Sequence, residues 1–269
     1  MFCEKLRAAS KRNSSLLCIG LDPDPDLMPH PHTPSFLQAI VEATADLVCA
    51  YKPNLAFFEA LGVGGMQTLL EGLRSVPAHI PIIADAKRGD IGNTARFYAK
   101  ALFEMYGFDA VTVNAYGGRD TIEPFLETTD RGVFIWCRSS NPGATDLQDL
   151  PLADGRFLYE AVAQRAKEWN VHGNVGVVVG ATWPPELERV RRICPDMLIL
   201  VPGVGAQEGA LAAAVEASLD ANGEGVIVSA SRQVLYASRD REYAKAARRA
   251  AQQLRDRISH QREVVLARR

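Results

Sequence analysis

The stretch "IPIIADAKRGDIGNTARFYAKALFEMYGFDAVTVNAY", residues 80–116, decides how the chain is read. It opens on "IPIIADAK" (80–87), a short β-rich run with little polar alternation, the pattern of a strand covered on both faces. "NTARFYAKALFEMY" (93–106) then sets Phe97, Ala101 and Leu102 at helical spacing. "AVTVNAY" (110–116) is a second β-rich run. Strand, helix, strand over this length is a βαβ unit, and it makes the two strands parallel.

Working outward, the same unit recurs along the chain. Strand-like runs occupy 16–22, 47–54, 80–87, 110–116, 132–140, 174–182, 198–205 and 225–232, eight in all. Helical signals fall between them. Thr33 is expected to cap a helix begun by Pro34 and carrying Phe36, Leu37, Ile40, Val41, Thr44, Leu47 and Val48. Asp120 with Glu123 resembles a capping box before a short piece at 124–127. Further helices are expected at 157–169, 185–193, 207–219 and 241–260. Eight strand–helix alternations in a chain of 269 residues describe an α/β protein, a (β/α)8 TIM barrel. A doubly wound open sheet uses the same right-handed units and is the competing architecture. The count of eight favours the barrel, as does the lack of GxGxxG after the first run. No composition break divides the chain, so one barrel domain over 1–269 is expected. The connection 141–156 is too long for a simple link and reads as a lid.

Composition narrows the function. Thirty Lys and Arg against 32 Asp and Glu leave a formal charge of −2, so neither nucleic acid nor an anionic membrane is expected as a partner. The first twenty residues lack the apolar core of a signal peptide, and no apolar run reaches membrane-helix length. Five scattered cysteines form no CxxC pair and read as reduced core thiols of a cytoplasmic protein. The five histidines show no zinc-ligand spacing, and "PHPH" (29–32) reads as a solvated loop.

In a barrel the active site is built at the C-terminal ends of the strands. The polar residues there are Asp22, Lys52, Asp85, Lys87, Asn114, Ser139, Ser140, Thr182, Gln207, Ser231 and Arg232. Strand alternation sends Asp85 and Lys87 to one face above Ile83, into the barrel mouth, while Ile82, Ala84 and Ala86 face the helices. Plainer readings exist for each: a structural ion pair for Asp85–Lys87, turn residues for Asp22 and Asn114, a surface lysine for Lys52. "PGVGAQEG" (202–209), from Pro202 through Gln207, follows the seventh run, and "SASR" (229–232) ends the eighth. Barrel phosphate sites form at this pair of loops, and Arg232 supplies a fork for phosphate oxygens.

"DAKRGDIGNTA" resembles the Asp-x-Lys-x-x-Asp-Ile signature of the orotidine 5′-phosphate decarboxylase family. "CIGLDPDP", "YKPNLAFFE", "TVNAYGG", "RSSNPGA", "VVGAT", "VPGVGAQ" and "SASR" follow that family's order, in the form of its longer bacterial subgroup. The resemblance implies a homodimer that converts orotidine 5′-monophosphate (OMP) to UMP with no metal or organic cofactor. It implies Lys52, Asp85, Lys87 and Asp90 as a charged tetrad, with Lys87 as proton donor. Asp90, Ile91 and Thr94 would enter the partner's site. Asp22 matches the ribose-binding aspartate, Ser140 the serine near the pyrimidine, and Gln207 and Arg232 the phosphate contacts. Asn114, Pro202 and Ser231 complete the expected substrate-binding set. Ala115, Gly117 and Gln233 depart from the family pattern and bear on loop shape. Two rivals stand beside this reading: a magnesium-dependent sugar-phosphate barrel sharing the Asp-x-Lys strand, and a silent binder of nucleotide phosphates.

Overall fold

All eight runs form parallel strands: β1 (Leu17–Gly20), β2 (Ala50–Lys52), β3 (Ile83–Arg88), β4 (Ala110–Val113), β5 (Gly132–Arg138), β6 (Val175–Val179), β7 (Leu198–Pro202) and β8 (Val226–Ala230). The structure, a computed structural model, describes residues 1–204 and 208–269. The strand order β2-β1-β8-β7-β6-β5-β4-β3 runs the sheet round on itself. The seam between β2 and β3 is held by the bridges Tyr51–Ile82 and Asn54–Asp85. There the Tyr51 N–H donates to the Pro81 carbonyl at 3.0 Å, and the Asp85 N–H to the Pro53 carbonyl at 2.9 Å. The result is a nearly closed barrel, and the open sheet is set aside.

The helices are α1 (Phe2–Asn13), α2 (Thr33–Thr44), α3 (Leu55–Glu59), α4 (Gly65–Gly72), α5 (Gly92–Lys100), α6 (Glu123–Leu126), α7 (Leu158–Trp169), α8 (Pro184–Ile193), α9 (Glu208–Ser218), α10 (Arg232–Leu235) and α11 (Tyr243–Arg268). Alternation along the strands divides the core in two. One set, including Leu17, Ile19, Ala84, Val111, Ile135, Val177 and Ile199, packs outward under the helices. The other, including Cys18, Ala50, Ile83, Ala110, Phe134, Leu200 and Ile227, fills the barrel. Helix α1 stops the N-terminal end with Phe2 and Leu6. The Phe2 ring meets Phe134 edge-on at 5.8 Å, and burying such a ring contributes about 2 kcal/mol.

Several expectations about helix ends are corrected. His32, not Thr33, caps α2: its Nδ1 accepts the Ser35 N–H at 3.3 Å, and Pro34 sits one place further in. Asp120 lies inside a 3₁₀ turn (Arg119–Thr121), so no capping box forms before α6. Helix α5 continues as a π-helical turn, Ala101–Met105, and its buried stripe is Ala95, Ala99, Leu102 and Phe103. Phe97 lies off that stripe and is 65 % exposed, against its expected place in the core. The connection 141–156 holds a 3₁₀ turn (Pro142–Asp146) and a bridge between Pro151 and Phe157.

Candidate active site

Lys52, Asp85 and Lys87 converge where β2 and β3 end. The Lys52 ammonium donates to Asp85 Oδ2 at 2.8 Å and the Lys87 ammonium to Asp85 Oδ1 at 2.6 Å. Lys52 is buried and the Asp85 side chain is only 12 % exposed, so this carboxylate is held between two cations in a low-dielectric setting. Burial works to raise the Asp85 pKa, but the charges of Lys52 and Lys87 outweigh it and hold the carboxyl well below its usual range. Burial likewise works to lower Lys52, and the charges of Asp85 and Asp22 override it and keep the ammonium protonated to unusually high pH. Both groups are therefore ionised across the neutral range.

The backbone that carries Lys87 is irregular. Between the pairs Ala84–Val111 and Arg88–Val113 the β3–β4 register shifts, so Asp85, Ala86 and Lys87 stand opposite Thr112 alone. Lys87 adopts φ +47°, a left-handed conformation that costs an L-residue about 1–2 kcal/mol. Asp85 and Lys87 thus both reach the mouth, as expected, but through a bulge and not by plain alternation. The Lys87 ammonium also lies 5.8 Å over the Trp136 ring.

These residues line a cavity of about 210 Å³ with Thr112, Trp136, Arg138, Ser139, Ser140, Val178, Leu200 and Pro202. That is below the roughly 300–1,000 Å³ of sites that enclose a whole drug-sized ligand, and it suits a ring-sized group. Ser140 is brought in by close packing of β5 against β6. A Cβ at Gly180 would stand 2.7 Å from Ser140 Cβ and 2.8 Å from its nitrogen, so a side chain there would displace it. Arg138, fully buried, lies 4.6 Å over the Trp183 ring and pairs with Asp149 at 3.0 Å. Gln148 Oε1 accepts the Ser139 N–H at 2.8 Å. The long connection is therefore tied to the end of β5.

Asp22 sits beside this group. Its Oδ1 accepts the Asn54 N–H at 3.1 Å, and Tyr236 pins its loop, donating its hydroxyl to the Asp22 carbonyl at 2.8 Å and accepting the Asp24 N–H at 2.6 Å. The Ser231 hydroxyl is buried with no hydrogen-bond partner among the described residues. A Cβ at Gly20 would stand 2.8 Å from Ser231 Cβ and 3.0 Å from Asp22 Oδ2, so glycine keeps this corner open. Arg232 is exposed at the start of α10. Gln233, a departure from the family pattern, donates to the Val204 carbonyl at 2.9 Å and links the loops after β7 and β8. Gln207 lies outside the described residues.

Among the described residues, Asp22, Ser231 and Arg232 do not line the cavity, and neither do Asn114, Asp90, Ile91 and Thr94. Asn114 accepts the Tyr116 N–H at 3.0 Å within its own turn. Asp90 accepts the Ile91 N–H at 2.7 Å, and Ile91 (70 % exposed) and Thr94 face outward. Sequence reasoning missed Thr112, Trp136 and Arg138. The signal for Thr112 and Trp136 was alternation on β4 and β5, two residues above Ala110 and Phe134, which fill the barrel; Arg138 lies two further along β5, past a register shift against β6. A larger cavity, about 620 Å³, opens at the other end beside α1. That end of a barrel serves stability, and no chemistry is assigned to it.

A family model for the orotidine 5′-phosphate decarboxylase / HUMPS family matches residues 15–247. A protein of Roseiflexus sp. (strain RS-1) named orotidine 5′-phosphate decarboxylase is 54 % identical over 266 residues, 96 % of this chain and 97 % of that one. One of the same name from Dehalococcoides mccartyi (strain ATCC BAA-2100 / JCM 16839 / KCTC 5957 / BAV1) is 50 % identical over 266 residues, 97 % of this chain and 98 % of the other. Among solved structures, the OMP decarboxylase of Leishmania donovani superimposes with a TM-score of 0.88 at 42 % identity, covering 97 % of this chain and 99 % of its own. With half its residues shared with such relatives over nearly its whole length, the chain belongs to the orotidine 5′-phosphate decarboxylase / HUMPS family.

Proposed function

We propose that this chain decarboxylates OMP to UMP, the closing step of de novo pyrimidine synthesis, through Lys87 and without a metal or organic cofactor. The observation that carries the reading is Asp85 held at 2.6–2.8 Å between Lys87 and Lys52 at the strand ends. Loss of CO2 breaks the bond between the ring carbon and its carboxylate and leaves the electron pair on the ring. Lys87 stabilises that charge as it develops, then transfers a proton from its ammonium to the ring carbon, and water reprotonates it. Asp85 keeps Lys87 charged and aimed, and Lys52 balances Asp85. Asp22 takes the ribose and Ser140 the pyrimidine edge. Pro202, Gln207, Ser231 and Arg232 take the phosphate side. Asn114 supports the β4 turn at the site's rim.

The enzyme works as a cytoplasmic homodimer. Asp90, Ile91 and Thr94 reach the site of the second copy, where Asp90 completes the alternation of charge. Ile91, Phe97 and Met105, each largely exposed on the segment from Asp90 through α5 and its π-helical turn, are the apolar side chains offered for this contact. No helix among the described residues is long and apolar enough to cross a membrane. No nucleic acid enters the scheme.

Ultraviolet absorbance on OMP tests the reading directly, with conversion to UMP equally fast before and after EDTA treatment. Activity lost to chelation and restored by magnesium would favour the sugar-phosphate barrels, and no activity at all the silent binder. The geometry speaks against a metal at Asp85, because both its oxygens already face ammonium groups.

A second expectation concerns the phosphate. Binding energy from a distant group is realised as turnover when it organises the site. Orotidine, which lacks phosphate, therefore turns over about 10²- to 10³-fold more slowly than OMP at saturation. The check is kcat for the two substrates, and equal values would remove the phosphate side from the mechanism.

A further inference from the structure

The geometry points to Thr112 as a positioning residue that sets the conformation of Lys87. It is 1 % exposed, inside the barrel on β4, opposite the bulge in β3. Three β3 residues face this single residue, so the sheet ladder cannot supply a partner for each backbone N–H. The Thr112 hydroxyl takes that place. It accepts the Ala86 N–H at 3.0 Å and the Lys87 N–H at 3.0 Å, and donates to Asp85 Oδ1 at 3.0 Å.

One hydroxyl has one proton and two lone pairs, and all three are used here. The two accepted bonds hold the left-handed turn at Lys87, whose φ is +47°. The donated bond fixes the same carboxylate oxygen that the Lys87 ammonium contacts at 2.6 Å. Thr112 thus controls both ends of the ammonium's placement, its backbone root and its carboxylate anchor. A left-handed non-glycine residue persists only where its surroundings over-determine it, and the Thr112 hydroxyl supplies the bond to the Lys87 N–H here. The inference rests on Lys87 being the proton donor.

Thr112→Val keeps the shape and removes the hydroxyl, while Thr112→Ser keeps the hydroxyl. We expect Thr112→Val to lower kcat about 10- to 100-fold through misplacement of the ammonium, with UMP affinity by calorimetry within about threefold of the unaltered enzyme. Thr112→Ser is expected to recover most of that kcat, and a crystal structure of the Val variant to show Lys87 outside the left-handed region. Three results overturn the assignment: kcat of the Val variant within twofold of unaltered, equal losses in Val and Ser variants, or a fall in UMP affinity and melting temperature matching the fall in kcat. Lys87→Ala, assayed alongside, separates the two claims. An active Lys87→Ala enzyme removes the proton-donor reading itself, whereas an inactive one beside a fully active Thr112→Val enzyme removes only the role of Thr112.

Discussion

Lys87→Ala lowers kcat by about 10⁴-fold or more while UMP binding stays within about tenfold of unaltered. Two contributions are lost together, and each has a known scale. A positioned proton donor supplies about 10²–10⁴, and one preorganised donor aimed at developing charge about 10²–10³. The decarboxylated product carries no carboxylate for the ammonium to meet, so its affinity reports the pocket and not the lysine. The fold is expected to survive. Lys87 is 36 % exposed, and without it Asp85 still faces Lys52 at 2.8 Å and Thr112 at 3.0 Å. Lys52→Ala is the instructive contrast, because Lys52 is buried and its loss removes the cation that offsets a buried carboxylate. That variant should lose melting temperature as well as turnover. Single-turnover decarboxylation measured beside UMP calorimetry checks the Lys87 claim, and a kcat within tenfold of unaltered would end it.

The reason so much of the barrel was legible is that parallel strands covered on both faces must be apolar along their length. "NVGVVVGAT" and "LILVPGVG" have no other ready use, and strands form within them at Val175–Val179 and Leu198–Pro202. Residues 55–72 were not legible, because Gly62, Gly64 and Gly65 break the helical period into two short helices joined by a 3₁₀ turn. The N-terminal helix hid for another reason. Its apolar residues Phe2, Leu6 and Ala9 are few, and they matter only as a stopper for the barrel end. At the site, charge was visible and geometry was not. Asp85, Lys87 and Lys52 announce themselves as ionised groups beside buried runs. Thr112 is an ordinary strand residue until the bulge opposite it is seen, and nothing local to "DAKRGD" announces a left-handed lysine. Phe97 misled because periodicity cannot distinguish an apolar side chain facing the core from one reserved for another surface.

That other surface bears on the second large effect. An equal mixture of Lys87→Ala and Asp90→Ala chains should regain roughly a quarter of the unaltered activity per site, and the isolated mixed dimer roughly half, from parents each down about 10³-fold or more. Random exchange makes half the dimers mixed, and each mixed dimer holds one site with both residues intact and one with neither. The structure of the single chain gives the reason for expecting this. Asp90 does not line its own chain's cavity and spends one oxygen on the Ile91 N–H at 2.7 Å, two residues after β3 has ended. Within one chain Lys52 and Lys87 hold Asp85 between them and Asp90 is not part of that array; on the proposed reading the Asp90 of a second copy completes it. Asp90 sits next to exposed Ile91 on the segment leading to exposed Phe97, so apolar contact between copies would deliver its charge. Two affinity tags, one on each chain, isolate the mixed dimer for assay. Activity no higher than the parents' in that purified species, or an Asp90→Ala enzyme that is active alone, would show that each chain builds its site from its own residues.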